Sequence, residues 1–277
     1  LDPEIDIAFG PSGTDLELLG LALSLQSCEK RVHNIIVGVE EVGSGIKNAA
    51  IGKYWTDTTA LGEEVCIGEP VPGFDTESIT SAAIEVRDER GLPRESRYVN
   101  NDLLEEVNWA IKMGIRPMVH LVHRSKTGLI APPWSELKEA LQGLRNQVDI
   151  IVDACQARID PSLLNEYLAE GAMVLWTGSK FIGGAPFSGA LMVPPALSER
   201  ARNKTSLPKG LGDFFTRSEW PDEWKGADNI LPFKENFGLL LRCESALFEL
   251  ERLISMPETL SETVINSFYD SVLTMAR

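Results

Sequence analysis

The sequence predicts an α/β protein with three layers, α/β/α, around a mostly parallel sheet of seven strands. Three observations carry this expectation. Short apolar runs alternate with longer segments of helical period along the 277 residues, and that alternation places helices on both faces of a largely parallel sheet. Hydrophobic residues make up 43% and charged residues 24%, the balance of a folded domain rather than of a disordered chain. The length exceeds a minimal domain and falls short of two full ones.

In chain order the expected strands are 5–9, 34–39, 64–67, 118–122, 149–152, 173–176 and 190–193, each a short apolar run. The expected helices are 14–27, 76–88, 102–113, 134–144, 161–170, 196–202, 236–254 and 260–275. Several ends carry explicit signals. Asp160 before Pro161 is an N-cap followed by proline at the first helical position. Gly114 and Gly171 follow their helices as stops. The helix at 14–27 has leucine on all sides, at 16, 18, 19, 21, 23 and 25, and should be buried. Residues 203–233 differ from the rest: six prolines and glycines accompany Phe214, Phe215, Trp220 and Trp224, with no sustained period. Such a segment is either a surface excursion or a contact with a partner.

Acidic residues outnumber basic ones by 41 to 26, for a net charge of −15. So acidic a surface argues against nonspecific binding to nucleic acid or anionic membranes. No apolar run approaches the roughly 18 residues of a membrane-spanning helix. Asp2, Glu4 and Asp6 interrupt what a signal peptide would need to be apolar. Leu1 in place of Met is read as the mark of a fragment or a processed product. The cysteines at 28, 66, 155 and 243 are far apart, form no C-x-x-C pair and suit a reducing, cytoplasmic setting. His120 and His123 stand at an odd spacing in a strand, on opposite faces, and make a poor metal pair.

Three constellations carry chemistry. Gly10-Pro11-Ser12-Gly13-Thr14-Asp15 lies between a strand and a helix. Ser12 and Asp15 read as a capping box; equally, Ser12, Gly13 and Thr14 read as an anion cradle of open amides and hydroxyls. Asp149–Val152 runs straight into Asp153, with Gln156 three residues on. An acid at the carboxyl end of a strand is a loop or cap residue, or it is placed at the edge where open α/β sheets bind ligands. There it can hold a protonated ring nitrogen, with a Coulomb term of roughly 5 kcal/mol at about 3 Å in an intermediate dielectric. Thr177-Gly178-Ser179-Lys180, followed by Gly183 and Gly184, comes directly after a strand. Lys180 is a solvated residue or a Schiff-base lysine, whose amine is made nucleophilic by burial near other cations. Thr177 would add a hydroxyl to the same phosphate.

Taken together, these residues resemble the fold-type I pyridoxal-phosphate enzymes, the aspartate aminotransferase superfamily, and most nearly its class V branch with the cysteine desulfurases and kynureninase-like enzymes. The likeness covers about residues 5–194. It implies pyridoxal 5'-phosphate as cofactor, with its phosphate on Ser12, Gly13 and Thr14 and a hydroxyl from Thr177. It implies Asp153 on the pyridine nitrogen, Gln156 near the phenolic oxygen and Ser125 facing the cofactor. Lys180, 27 residues after Asp153, would be the catalytic lysine, with Asp153 its catalytic partner. The branch stacks a histidine on the ring; here the corresponding residues 39–45 hold neither histidine nor aromatic, and Ser179 replaces the histidine before the lysine.

The resemblance further implies an aminotransferase-like enzyme acting on a small amino or keto compound, as a cytoplasmic homodimer contacting its partner through residues 203–233. Residues 1–254 would be the cofactor-binding large domain. Residues 255–277 would be a C-terminal helix that opens a truncated small domain. Lyase chemistry of the desulfurase or kynureninase type, and a noncatalytic scaffold subunit with the same fold, are the alternatives. A nucleotide-binding α/β protein is a third, although Gly43-Ser44-Gly45 does not have the G-x-G-x-x-G spacing.

Overall fold

The computed structural model describes residues 4–27, 29–203 and 207–275. The elements are β1 (Asp6–Gly10), α1 (Gly13–Leu25), β2 (Val32–Val37), α2 (Ile46–Ala49), β3 (Ile79–Ile84), α3 (Ser96–Lys112), β4 (Arg116–Val122), α4 (Trp134–Ala140), β5 (Asp149–Ala154), α5 (Pro161–Ala169), β6 (Met173–Thr177), β7 (Gly189–Val193), α6 (Pro195–Asn203), α7 (Phe237–Ile254) and α8 (Glu258–Met275). They form one seven-stranded sheet in the order β1-β7-β6-β5-β4-β2-β3. The sheet is parallel from β6 through β5, β4 and β2 to β3. β7 runs antiparallel to both its neighbours, β6 and β1.

Each face of the sheet has its own core. On one face α1 packs on Met118, Ile151, Met173 and Leu175, with Leu197 of α6 and Trp224 in the same cluster. On the other, α3, α4 and α5 bury Val119, Leu121, Ile150, Val152 and Val174. The alternation of faces along β4, β5 and β6 follows from the two-residue period of a strand. The leucines of α1 at 16, 18, 19, 21 and 23 are all 0% exposed, as a helix apolar on every side requires. Asp160 caps α5 by accepting from the Ser162 amide at 2.8 Å. Gly114 and Gly171 end their helices with φ of +66° and +78°, which glycine adopts without steric cost.

Two expected elements are corrected. Residues 76–88 do not form a helix: Asp75 caps a single 3-10 turn, and Ile79–Ile84 is strand β3, paired in parallel with β2 from Val32↔Ile79 to Val37↔Ile84. Its Ala-Ala-Ile run suits a helix locally, but the ladder offered by β2 outweighs propensity. Residues 64–67 are not a strand: they hold only an isolated bridge from Glu64 to Thr58, and Ile67 is 61% exposed. Of that run only Val65 packs against the core, and among the described residues the isolated bridge is its one strand-like pairing.

The aromatic residues within 203–233 turn inward. Phe214, Phe215, Trp220 and Trp224 are buried in this chain's own core, where Phe215, Trp220 and Trp224 meet ring to ring. They cover the α1 face of the sheet, whereas Phe233 of the same segment is 77% exposed. Residues 204–206, Cys28 and Leu1 lie outside the described residues. No helix among the described residues is long and apolar enough to cross a membrane.

Candidate active site

β4, β5 and β6 all end at one edge of the sheet, and the chain leaves each of them beside the same cavity. Ser125 follows β4, Asp153 stands in the last turn of β5 with Gln156 beyond it, and Lys180 follows β6. All four line that cavity, together with Glu41, Val42 and Gly43 from the loop after β2. This is the edge at which open α/β sheets place their ligands. Arg124 and Lys126 flank Ser125 in the same lining, so the cavity gathers cations on an otherwise acidic protein.

The first constellation is tied to the second by packing. Ser12 is the N-cap of α1; its hydroxyl accepts from the Asp15 amide at 3.2 Å and donates to the Asp15 carboxylate at 2.6 Å. The helix cap is therefore real. The helix starts hard against the end of β5, because a Cβ on Gly13 would stand only 2.4 Å from Cys155 Sγ. Glycine is required there for close approach, and this approach brings the first turn of α1 over the strand that carries Asp153. Thr14 lies on the loop after β2, within 3.5 Å of where a Cβ on Gly43 would sit. The Gly13 and Thr14 amides belong to the first turn, whose N–H groups lack intrahelical acceptors.

Burial pushes the Asp15 carboxyl up to about 6; the Ser12 hydrogen bonds oppose this and nearby Glu219 adds to it. Ser12 and Asp15 also line a second cavity, with Trp55, Thr56, Thr59 and Arg242. Arg242 Nε donates to the Phe187 carbonyl at 3.1 Å, and both residues line this cavity.

Asp153 is half-buried, and its Oδ1 accepts from the Cys155 amide at 2.9 Å. Burial pushes the Cys155 thiol well above its ordinary value, with the Asp153 charge adding to the effect. Thr177 is 2% exposed and donates to the Cys155 carbonyl at 2.7 Å. Its hydroxyl proton thus ties β6 to the end of β5, beneath the cavity rather than in its lining.

Lys180 is held by a tight turn. Gly178 donates to the Ser188 carbonyl and Gly184 to the Gly178 carbonyl, both at 2.9 Å. Both glycines press on Ala246 of α7, which would lie 2.2 Å and 2.7 Å from their Cβ atoms. Of the two readings of Lys180, solvated or buried, the structure shows the exposed one.

Glu41 holds the place where a ring-stacking side chain was sought. It is 5% exposed, accepts from Ser125 at 2.6 Å and Thr127 at 2.8 Å, and pairs with Arg87. Burial works to raise its pKa, but the bonds from Ser125, Thr127 and Arg87 outweigh that and hold it below the ordinary value. Ser125 is correspondingly committed: its oxygen also accepts from the Leu129 amide at 3.1 Å. Sequence reasoning missed Glu41, Arg87 and Arg242, since each acts through a contact with a segment distant in the chain. Among the described residues no group of three or more His, Cys, Asp or Glu is placed to hold a metal.

No family profile and no curated protein matches the sequence. Solved structures do match in fold. The 4-hydroxyphenylacetaldehyde synthase of Rhodiola rosea is 14% identical, with a TM-score of 0.52 over 89% of this chain and 45% of that one. The Oryza sativa TDC with PLP is 12% identical, with a TM-score of 0.49 over 87% of this chain and 46% of that one. The apo cysteine desulfurase of Thermococcus onnurineus NA1 is 18% identical, with a TM-score of 0.44 over 89% and 52%. The chain spans about half the length of these structures. At such identities the likeness is one of fold.

Proposed function

We propose that the chain is the cofactor-binding part of a pyridoxal 5'-phosphate-dependent enzyme, aminotransferase-like, acting on an amino acid or a related amine or keto compound. The observation that carries this reading is the meeting of Ser125, Asp153, Gln156 and Lys180 around one cavity, with the α1 N-terminus packed on the same strand end. The residues present fit the cofactor. The open amides of Gly13 and Thr14 and the Thr14 hydroxyl are a donor set for a phosphate. Asp153 supplies an acceptor for a protonated ring nitrogen, and Gln156 supplies an amide for a ring oxygen. Arg242 offers positive charge beside the cradle.

When bound, pyridoxal 5'-phosphate supplies an aldehyde that condenses with amines and a ring that accepts electrons from the carbon beside the amine. Lys180 would provide the amine that fixes the group in place and, once displaced by substrate, would move a proton at the adjacent carbon. Asp153 would keep the ring nitrogen protonated. Gln156 and Ser125 would fix the ring's orientation. Thr177, locked onto the Cys155 carbonyl, would support the strand end.

Borohydride reduction of the chain incubated with the cofactor tests this directly. The expected result is a mass increase on the peptide holding Lys180, absent in Lys180→Ala. No increase at saturating cofactor, and no near-visible absorbance band, would overturn the reading.

One observation favours a second reading. Glu41, where a ring-stacking group was sought, is spent on Arg87, Ser125 and Thr127. A scaffold subunit that binds the cofactor without using it would look like this. Trapping at Lys180 with no turnover of any amine in a broad panel would decide for it.

The proposal includes a homodimer. It is supported by the apolar side chains that α7 and α8 leave in solvent, such as Leu241 at 68%, Phe248 at 60% and Phe268 at 71%. Sedimentation equilibrium that returns only the 30.5 kDa monomer at every concentration would remove this part.

A further inference from the structure

Beneath the cavity, on the α1 face of the sheet, three polar side chains are shut away from solvent. Glu17 of α1, Asn34 of β2 and His120 of β4 are each 0% exposed. His120 Nδ1 lies 3.0 Å from Glu17 Oε2. Asn34 Nδ2 donates to Glu17 Oε1 at 3.0 Å and to the Ala50 carbonyl at 3.2 Å. His120 Nε2 has no hydrogen-bond partner among the described residues. A buried carboxylate and imidazole are costly to desolvate, and apolar residues of similar size would do the packing as well. An imidazole anchored at one nitrogen and bare at the other has a second polar atom left to use.

The register shows what that atom lies near. Val122 of β4 stands beside Asp153 of β5, and His120 beside Ile151. His120 and Asp153 therefore share a face, one strand apart and two residues apart along the strand. The charged groups around His120 come from two elements: Glu17 from α1 and Asp153 from β5. Asn34 from β2 reaches it only through Glu17. Burial pushes the imidazole toward its neutral form, but the Glu17 carboxylate, with Asp153 adding, outweighs burial and raises its pKa.

We propose that Glu17 and His120 are positioning residues for Asp153: Glu17 fixes the imidazole through Nδ1, and the Nε2 side, through one water, sets the orientation and charge of the Asp153 carboxylate. The role of Asp153 toward a ring nitrogen rests on the cofactor reading; the coupling of the three side chains does not. Linkage makes the coupling reciprocal. If His120 steadies the charge of Asp153, then Asp153 must favour the proton on His120 by the same factor.

The test is an NMR titration of the histidines of the full chain without cofactor, in wild type, Glu17→Gln and Asp153→Asn. The expected outcome is a His120 that binds its proton about tenfold less tightly in Asp153→Asn, one pKa unit, and less tightly still in Glu17→Gln. A side chain that merely packs α1 on the sheet would respond to Glu17→Gln alone. Superimposable titrations of wild type and a folded Asp153→Asn would therefore overturn the proposal. Should Asp153→Asn fail to fold, the wild type is titrated with and without pyridoxal phosphate: a shifted His120 supports the coupling, and an unshifted one in the loaded chain overturns it. Borohydride trapping at Lys180 is read separately. Its failure with a coupled His120 would sink the cofactor reading and leave the triad standing.

Discussion

The two sides of the candidate site are built differently. On one side α1 enters the fold with its leucines at 0% exposure, and Gly13 sits in contact with Cys155 at the end of β5. On the other side Lys180 stands exposed on a glycine turn, followed in the chain by Phe181 at 54% exposure. The side that would hold a phosphate is over-determined by packing; the side that would carry the chemistry is open. A cradle for an anion works by fixed amides and must be rigid. A lysine that is displaced and then moves protons needs freedom. The difference teaches that stability and reactivity are divided between α1 and the Lys180 turn.

Four measurements break or sharpen that division, beginning with the largest. Leu19→Ala empties part of the α1 core and should cost about 2–5 kcal/mol in urea unfolding; a loss near zero would show that α1 is not the rigid mount. Gly13→Ala should cost about 1–3 kcal/mol by overpacking against Cys155. Cys155→Ala in the same chain should restore most of that loss, because the remaining Cβ lies 3.9 Å from the new methyl. Independent, additive effects of the two changes would locate the strain elsewhere.

The third measurement is a pH dependence. Asp15 has a folded pKa raised from 3.8 to about 6. The folded state therefore binds this proton more tightly than the unfolded state. Its contribution to stability is present below about pH 4 and is lost as pH rises to about 6, on the order of 1–3 kcal/mol. Asp15→Asn should remove that slope, and an unchanged slope in the variant would assign it to other groups. Last, Lys180→Ala should change stability by no more than about 0.5 kcal/mol, as at an exposed position. A large destabilisation would mean that the turn depends on its lysine.

How much of this was legible in the sequence depended on whether local signals and tertiary demands agreed. β5 and Asp153 were readable because an uninterrupted apolar run ends in an acid. Lys180 was readable from glycines that follow a buried strand. β3 was not, because Ala-Ala-Ile-Glu has a helix-forming composition and only its ladder with β2 makes it a strand. Its loss was masked in the strand count by residues 64–67, which match a strand in pattern but form only an isolated bridge, with Val65 alone packed on the core. Whether Lys180 is solvated or buried stayed open in the sequence, since it depends on what packs over the turn.

Glu17 was the readable signal that went unused. A charged residue in a helix apolar on every side must be buried, and a buried charge calls for a partner. The sequence already held that partner in His120, on the expected strand 118–122.

The order of the sheet has a consequence for how the chain acquires its shape. β1 pairs only with β7, with Asp6 opposite Val193 and Gly10 opposite Gly189, about 180 residues later in the sequence. Contacts so distant in the chain form slowly, because closing the loop costs entropy before any pairing repays it. During synthesis β1 must therefore wait for about 180 further residues to emerge. The start of α1, which hangs directly from β1, reaches its place with that strand pairing. β1 is among the last strands to be fixed, and no anion can be cradled there until the parallel strands that would carry Asp153 and Lys180 are already in register.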